Sequence, residues 1–411
     1  MTFGMGSGKR RSWVLIAAAA IAFLASACAP PAFGQSQKPS DPQRQSALSL
    51  EQQGKNAEAE AVWRAYLKAH PSSPEPYAHL GLLEARQGHF KEAVPLYRKA
   101  LKLGPDVPGL RLNLGLSLFK SEDLRGAIEV FQPLLKANPN SEQLNTLIGM
   151  SHYGLAEYAQ AAPFLRQAAA QDTSNLPLRL ALAHSCLWSK QMQCALDVYK
   201  EILALNSESA EADMLAGEAM NGLKDNEGAT KMFRAAIQAN PKEPSAHFGL
   251  GYLLWMNKQF PEAAAEFQAE LANDPSHLQA SLYLADCDIQ LNRPQDAQPL
   301  LERVVNEDGN LALTHLDLGA IYADSGQNEV ALRELLLAEK LAPDEVNVHW
   351  RLGRLYRTLG RREDSKAEFD KAASLNKAAD DDLYKKLENG RNRPQPIEAK
   401  PTESGPEQTP K

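Results

Sequence analysis

Small residues recur every 34 positions along most of this chain, at Gly81, Gly115, Gly149, Ala183, Gly217, Gly251, Ala285, Gly319 and Gly353. A second column runs in step with the first: Ala59, Ala93, Ala127, Ala161, Ala195, Ala229, Ala263, Ala297 and Ala331, closed by Ser365. Four residues beyond each member stands a bulky side chain, namely Trp63, Tyr97, Phe131, Leu165, Tyr199, Phe233, Phe267, Leu301, Leu335 and Phe369. A fourth column breaks the helix at the end of each period. It holds Pro71, Pro105, Pro139, Pro241, Pro275 and Pro343, with Thr173, Ser207, Gly309 and Lys377 at the weaker positions.

Each period follows one physical logic. A small residue on a first helix lets a second helix approach closely, and the alanine and bulky residue four apart on that second helix share one face and fill the gap. Proline cannot continue a helix, so it turns the chain into the next period. The pattern resembles the tetratricopeptide repeat, a helix-turn-helix unit of 34 residues. The likeness is fullest in Tyr77, Leu80, Gly81, Gly88, Ala93, Tyr97, Ala100 and Pro105, and again in Leu318, Gly319, Tyr322, Gly326, Ala331, Ala338 and Pro343. The resemblance implies an all-α fold, a right-handed superhelical solenoid of about ten such units over residues 40–379. The units around Ala183 and Ala285 lack both the glycine and the terminal proline, which predicts local departures there.

The two ends have other compositions. Lys9, Arg10 and Arg11 precede an apolar run from Trp13 to Ala25 that is short for a membrane span, and Ala25-Ser26-Ala27 stand just before Cys28. Residues 1–27 read as a bacterial export signal and 28–39 as a linker. Cys28 resembles the acceptor cysteine of a lipoprotein, although Ala25 stands where that family prefers leucine. Cleavage after Ala27 or Gly34 by ordinary signal peptidase and an uncleaved anchor remain the alternatives. Export places the mature chain in the periplasm or on the periplasmic face of a membrane. At the other end, residues 380–388 are expected to form a capping helix, and the Pro-, Glu- and Lys-rich stretch 389–411 to be disordered.

The chain offers no catalytic constellation. No His-Glu-x-x-His pair, Gly-x-Ser-x-Gly elbow or phosphate loop with correct spacing occurs, and Gly4 to Lys9 only approach the last of these. No cofactor or metal is implied, and the reading is non-enzymatic. A formal net charge of −7 argues against a general nucleic-acid binder.

In such solenoids, ligands bind the face lined by first helices. Positions three before and one, four and five after each member of the first column select one helical stripe. In the middle of the chain it reads Thr146, Met150 and Tyr153; Leu180, His184, Leu187 and Trp188; Met214, Glu218 and Asn221; Phe248, Tyr252, Trp255 and Met256; and Leu282, Asp286 and Ile289. Large apolar side chains on a solvated face call for explanation. Either they are ordinary packing between helices, or they form a groove for peptide segments of other proteins with Met150, Tyr153, His184, Trp188, Phe248, Tyr252, Trp255 and Met256 as anchors. A glycan or cell-wall binder would use the same rings. Toward the end of the chain the stripe turns basic, with Trp350, Arg351, Arg354 and Arg357, a set suited to a carboxylate, phosphate or acidic peptide.

These observations describe an exported scaffold or adaptor of the cell envelope, with repeat lipoproteins of pilus or outer-membrane assembly as the family-level analogy. Cys186 and Cys194 flank one predicted turn and could be linked in an oxidising compartment or lie as two buried thiols, whereas Cys287 has no partner in its own unit.

Overall fold

The computed structural model describes residues 41–105, 107 and 109–391, with side chains described as far as Lys377. The predicted signal and linker, with Cys28, and residues 392–411 of the predicted tail lie outside the described residues. Twenty helices and no strand occur among the described residues. The odd-numbered are first helices: α1 (Pro42–Gln52), α3 (Pro74–Arg86), α5 (Leu110–Lys120), α7 (Glu142–Gly154), α9 (Leu176–Trp188), α11 (Ala210–Gly222), α13 (Ala246–Met256), α15 (Leu278–Gln290), α17 (Ala312–Asp324) and α19 (Val346–Thr358). The even-numbered are second helices: α2 (Asn56–Ala69), α4 (Phe90–Leu103), α6 (Leu124–Ala137), α8 (Tyr158–Gln171), α10 (Met192–Leu205), α12 (Asn226–Ala239), α14 (Phe260–Asn273), α16 (Pro294–Glu307), α18 (Asn328–Leu341) and α20 (Arg362–Arg391). The helices form two compact units, one running to Asn257 and including Ala272–His277, the other comprising Lys258–Leu271 and everything from Leu278. Within each, the array is a solenoid of helical repeats in which successive first helices touch, as α7, α9, α11 and α13 do in the first unit.

The columns do what their chemistry demands. Every alanine of the second column, from Ala59 to Ala331, is buried, and Trp63, Tyr97, Phe131, Leu165, Phe267 and Leu301 are fully so. A Cβ added at Gly217 would stand 2.8 Å from the Phe233 ring, and one at Gly319 would stand 2.6 Å from Leu335. The glycines therefore make room for the bulky residue of the following helix. At Ala183, where the column carries a Cβ, the corresponding Tyr199 is only half-buried and its hydroxyl donates to Asp213 Oδ1 at 2.8 Å. At Ala285 the partner is the smaller Leu301, which is fully buried. The two irregular units thus keep the same helices as the rest, and only in the unit of Ala183 does the bulky residue seat less deeply.

Two further columns emerge from the backbone. The turn between first and second helix holds one left-handed residue in every unit: Gly54, Gly88, Glu122, Ala156, Lys190, Lys224, Lys258, Asn292, Gly326 and Gly360. That register is unbroken although the residue is glycine only at the two ends of the array. The second column lies four residues before each small residue of a first helix. There Tyr77, Asn145, Arg179, His247, His315 and His349 reach back to the carbonyls of Pro71, Pro139, Asp172, Pro241, Gly309 and Pro343, at 2.8–3.3 Å. Each satisfies a carbonyl at the turn where the preceding helix has ended.

The last helix departs from expectation. The stretch 380–388 continues α20 without a break to Arg391, so no separate capping helix follows the tenth unit. Lys377 stands where most units carry a proline, and no glycine or proline occurs from Arg362 to Asn389, so no such residue ends the helix earlier.

Candidate functional site

The first-helix face of the first unit is best built from its rings. Tyr153 on α7 meets Trp188 on α9 at 5.9 Å between ring centroids, and Tyr158, at the start of α8, meets the same Trp188 at 4.6 Å. His184, one turn before Trp188, packs edge-on to it at 4.6 Å. The Tyr153 hydroxyl lies 3.3 Å from His184 Nδ1, and His184 Nε2 faces Glu211 Oε1 on α11 at 3.1 Å. Burial pushes the Tyr153 hydroxyl well above the usual phenol range, with the charges of Tyr158 and Glu211 adding to it. It therefore stays protonated at any working pH.

A second bank of rings lies on α13. Phe248 and Tyr252 are stacked at 6.4 Å, Tyr252 and Trp255 at 5.8 Å, and His277 packs on Phe248 at 4.7 Å. Between α9 and α13 runs α11, whose face carries Glu211, Met214, Glu218 and Asn221, all partly exposed. Glu243, in the turn before α13, is half-buried and accepts from Asn240 Nδ2 at 3.1 Å. Burial raises its carboxyl above the ordinary carboxylate range, and the charge of Glu211 pushes in the same direction, against the hydrogen bond from Asn240 and the pull of His184.

The predicted anchors therefore divide. Trp188, Tyr252 and Trp255 are half-buried, and Met256 is 47 % exposed, so all four are reachable from solvent. Met150 and Phe248 are not, with 0 % and 2 % exposure, and they belong to the packing between helices rather than to a groove. The division does not follow repeat position: one residue after the small residue Met150 and His184 are buried and Tyr252 is half-buried, and four after it Tyr153 and Leu187 are buried and Trp255 is half-buried. Tyr153 and His184 are also buried, at 4 % and 6 %, and both pack against Trp188.

Three tetratricopeptide repeat family models match the chain, one at residues 44–108 and 222–277, one at 84–150 and 254–317, and one at 346–378. The chain belongs to the tetratricopeptide repeat family. Among curated proteins, it is 23 % identical over 211 residues to anaphase-promoting complex subunit 3 of Schizosaccharomyces pombe, a match covering 51 % of this chain and 31 % of the relative. This tetratricopeptide repeat chain thus matches about a third of that relative's length. Among solved structures it is similar to YrrB, a TPR protein with an unusual peptide-binding site (20 % identity, TM-score 0.40, 43 % of this chain and 91 % of that one). It is also similar to Pseudomonas aeruginosa pilF, at 20 % identity and TM-score 0.46, over 50 % of this chain and 94 % of that one.

The second unit of this tetratricopeptide repeat protein carries the basic set. On α19, Trp350 is 46 % exposed with the Arg354 guanidinium 5.0 Å from its ring centroid, while Arg357 lies over Phe369 at 5.9 Å. Arg351 is half-buried and its charge acts on Asp317 of α17. Sequence reading passed over Asp317, since it lies outside the stripe. Its Oδ2 is shut off from solvent without a hydrogen-bond partner, and burial, reinforced by the charge of Asp286, pushes the carboxyl up to about 7.

Two other groups were open questions in the sequence. Cys186 and Cys194 are joined across the turn between α9 and α10, with Cα atoms 5.6 Å apart, inside the range a disulfide requires. Cys287 is a free, buried thiol pushed up to about 12 by burial and the neighbouring Asp286 and Asp288, which makes it a poor nucleophile. Glu339, His349 and Glu368 place three ligand-type atoms within 4.8 Å of one another. His349 is engaged there by Glu368 Oε2 at 2.7 Å and by the Pro343 carbonyl, and His315 repeats that clasp one unit earlier with Glu334 at 2.7 Å.

Proposed function

We propose that this tetratricopeptide repeat protein is an exported, non-enzymatic adaptor of the bacterial cell envelope that binds peptide segments of other proteins on the first-helix face of α7–α13. Proteins of this family serve in protein–protein interaction. The observation that carries the peptide reading is the set of partly exposed rings Trp188, Tyr252 and Trp255 on one solvated face, with Trp188 packed on Tyr153, Tyr158 and His184, Tyr252 on Phe248, and Trp255 on Tyr252. Rings fixed in that way lose little freedom on binding, which is how a few aromatic residues come to dominate the affinity of an interface. Envelope location rests on residues 1–28, and Cys28 is the acceptor for a membrane-anchoring lipid. Among the described residues, no helix is long and apolar enough to cross a membrane.

Pull-down of the exported protein against envelope proteins, in parallel with isolated peptidoglycan, tests the reading. A protein partner lost on Tyr252→Ala and Trp255→Ala supports it, and retention on peptidoglycan alone replaces it with glycan binding. Cell fractionation with labelled fatty acid tests the anchor: wild type should carry the label and Cys28→Ala should not.

A further inference from the structure

The charge of α19 is unlike that of the first helices before it, and the peptide face of α7–α13 does not involve it. At the positions six and three before and one, four and five after each small residue, none of the first helices from α3 to α17 carries more than one lysine or arginine, whereas α19 carries Arg354 and Arg357. With Trp350 they stand at i, i+4 and i+7, one stripe of the helix. All three are exposed, Trp350 by 46 %, while Leu352, Gly353, Leu355 and Tyr356 are buried, which turns the stripe to solvent. Each guanidinium is steadied by a ring, Arg354 over Trp350 at 5.0 Å and Arg357 over Phe369 at 5.9 Å. Among the described residues, neither guanidinium makes a hydrogen bond or an ion pair. The neighbouring arginines differ: Arg361 Nε donates to Asp364 Oδ2 at 2.6 Å, and the charge of Arg351 acts on the buried Asp317. The same positions of α17 hold one carboxylate, Asp324, which pairs with neither Arg354 nor Arg357.

We infer that this stripe is a second binding face, whose occupant is an acidic polypeptide segment carrying aspartate or glutamate beside an apolar side chain. The stripe belongs to the other compact unit and does not rest on the peptide reading of α7–α13. A ring takes up one flat face of a guanidinium and leaves open its N–H edge, the fork that matches a carboxylate. Stacking also restricts the arginine side chain beforehand, so less rotamer freedom is lost when a carboxylate arrives. Trp350 adds exposed apolar area next to the charges, which a segment with an apolar side chain covers and an inorganic phosphate does not. A nucleic acid fits less well, because two arginines neutralise few of its phosphates and those beyond the stripe meet a chain of net charge −7. A basic segment would meet like charge.

The test pans a phage-displayed library of random twelve-residue peptides against the purified exported protein, with an excess of soluble Arg354→Gln, Arg357→Gln protein present to remove phage that bind elsewhere. Enriched peptides should be net negative and contain an apolar residue. By titration calorimetry, their affinity should fall roughly tenfold or more for the doubly substituted protein, and for Arg354→Glu, Arg357→Glu, with unchanged melting curves, and should weaken as salt rises from 50 to 300 mM. Trp350→Ala should weaken them too, whereas Tyr252→Ala and Trp255→Ala on the α13 face should not. No enrichment beyond that obtained with the substituted protein as bait, or enriched peptides that are neutral or basic, would overturn the inference. Peptides whose affinity falls with the α13 ring substitutions and not with the arginine substitutions would overturn it too, and leave the α7–α13 face standing. Arginine-dependent binding of a twelve-nucleotide single-stranded DNA, with no acidic peptide enriched, would replace the inference with a phosphate site.

Discussion

The first-helix face of α7–α13 and that of α19 occupy the same positions of the same repeat, yet they carry opposite chemistry. The former presents Trp188, Tyr252, Trp255, Glu211 and Glu218, and the latter presents Trp350, Arg354 and Arg357. Beneath both, the small, alanine and bulky columns are nearly invariant in their packing. The repeat therefore separates two tasks. Residues that face the partner helix are held to a few sizes, because a Cβ more or less is felt at once in a close-packed core. Residues one turn away are free to differ from unit to unit, and the charge of the face is set there.

The comparison breaks first, and by the largest amount, if the division between covered and reachable rings is wrong. Phe248→Ala should cost about 3–5 kcal/mol of stability, the usual range for removing a buried ring. Trp255→Ala, half-buried, should cost less than about half of that and act chiefly on peptide affinity. Thermal melts and calorimetry on both variants decide it. Equal destabilisation by the two would make Trp255 core and remove the α13 bank from the site.

The next effect belongs to the first unit alone. The Cys186–Cys194 link closes a loop of eight residues' separation, for which the chain-entropy estimate is roughly 2.5 kcal/mol at 25 °C. Reduction, or the double change Cys186→Ser and Cys194→Ser, should lower the stability of the first unit by about that amount and leave α16–α20 unaffected. Hydrogen exchange read by mass spectrometry resolves the two. The unreduced exported protein should yield one linked peptide pair, and alkylation of both thiols without reduction would show that the bond does not form.

The second unit has its own signature in pH. Asp317 is held up to about 7 by burial, whereas an unfolded aspartate titrates near ~3.9. Between those values the folded chain binds the extra proton, so this group's contribution falls as pH rises from about 4 to about 7 and is level beyond. Asp317→Asn should therefore be nearly neutral near pH 4 and stabilising by roughly 2 kcal/mol at pH 8, where the wild type buries an ionised carboxylate. Denaturant titrations at the two pH values measure the difference. A variant that is destabilised at pH 8 would mean that the charge is satisfied by Arg351.

How much of this was legible in the sequence follows from what side-chain identity records. The helical hairpins were, because Gly217 and Phe233, or Gly319 and Leu335, can be matched by size alone. The chemistry of α19 was also readable, since arginines at helical spacing announce a charged face. Which anchors are covered was not: Met150 and Tyr252 stand at the same stripe position of their units, and only the surroundings in the folded array bury one and leave the other half-open. The clasps of Asn145, Arg179 and His315 onto the preceding turn were missed for another reason. They share a task, donation to a carbonyl, but no residue type, so no column of identical letters marks them.

The smallest effect tests whether the backbone column is common to both units. Ala156 in the first and Asn292 in the second both adopt the left-handed conformation, at φ 58° and 59°, and both are exposed. An alanine there carries a Cβ penalty of about 1–2 kcal/mol, part of which glycine would return to the unfolded chain as entropy. Ala156→Gly should therefore stabilise by somewhat less than about 1 kcal/mol. Asn292→Gly should do almost nothing, because asparagine tolerates this region through its short polar side chain. The reverse change, Gly88→Ala, meets no atom within 4 Å and so isolates the backbone term, with an expected loss of about 1 kcal/mol. Differential scanning calorimetry of the three variants should rank them in that order. If Ala156→Gly lowered stability, the turn at that position would be held by something other than its backbone conformation, and the register of left-handed residues from Gly54 to Gly360 would no longer have one cause.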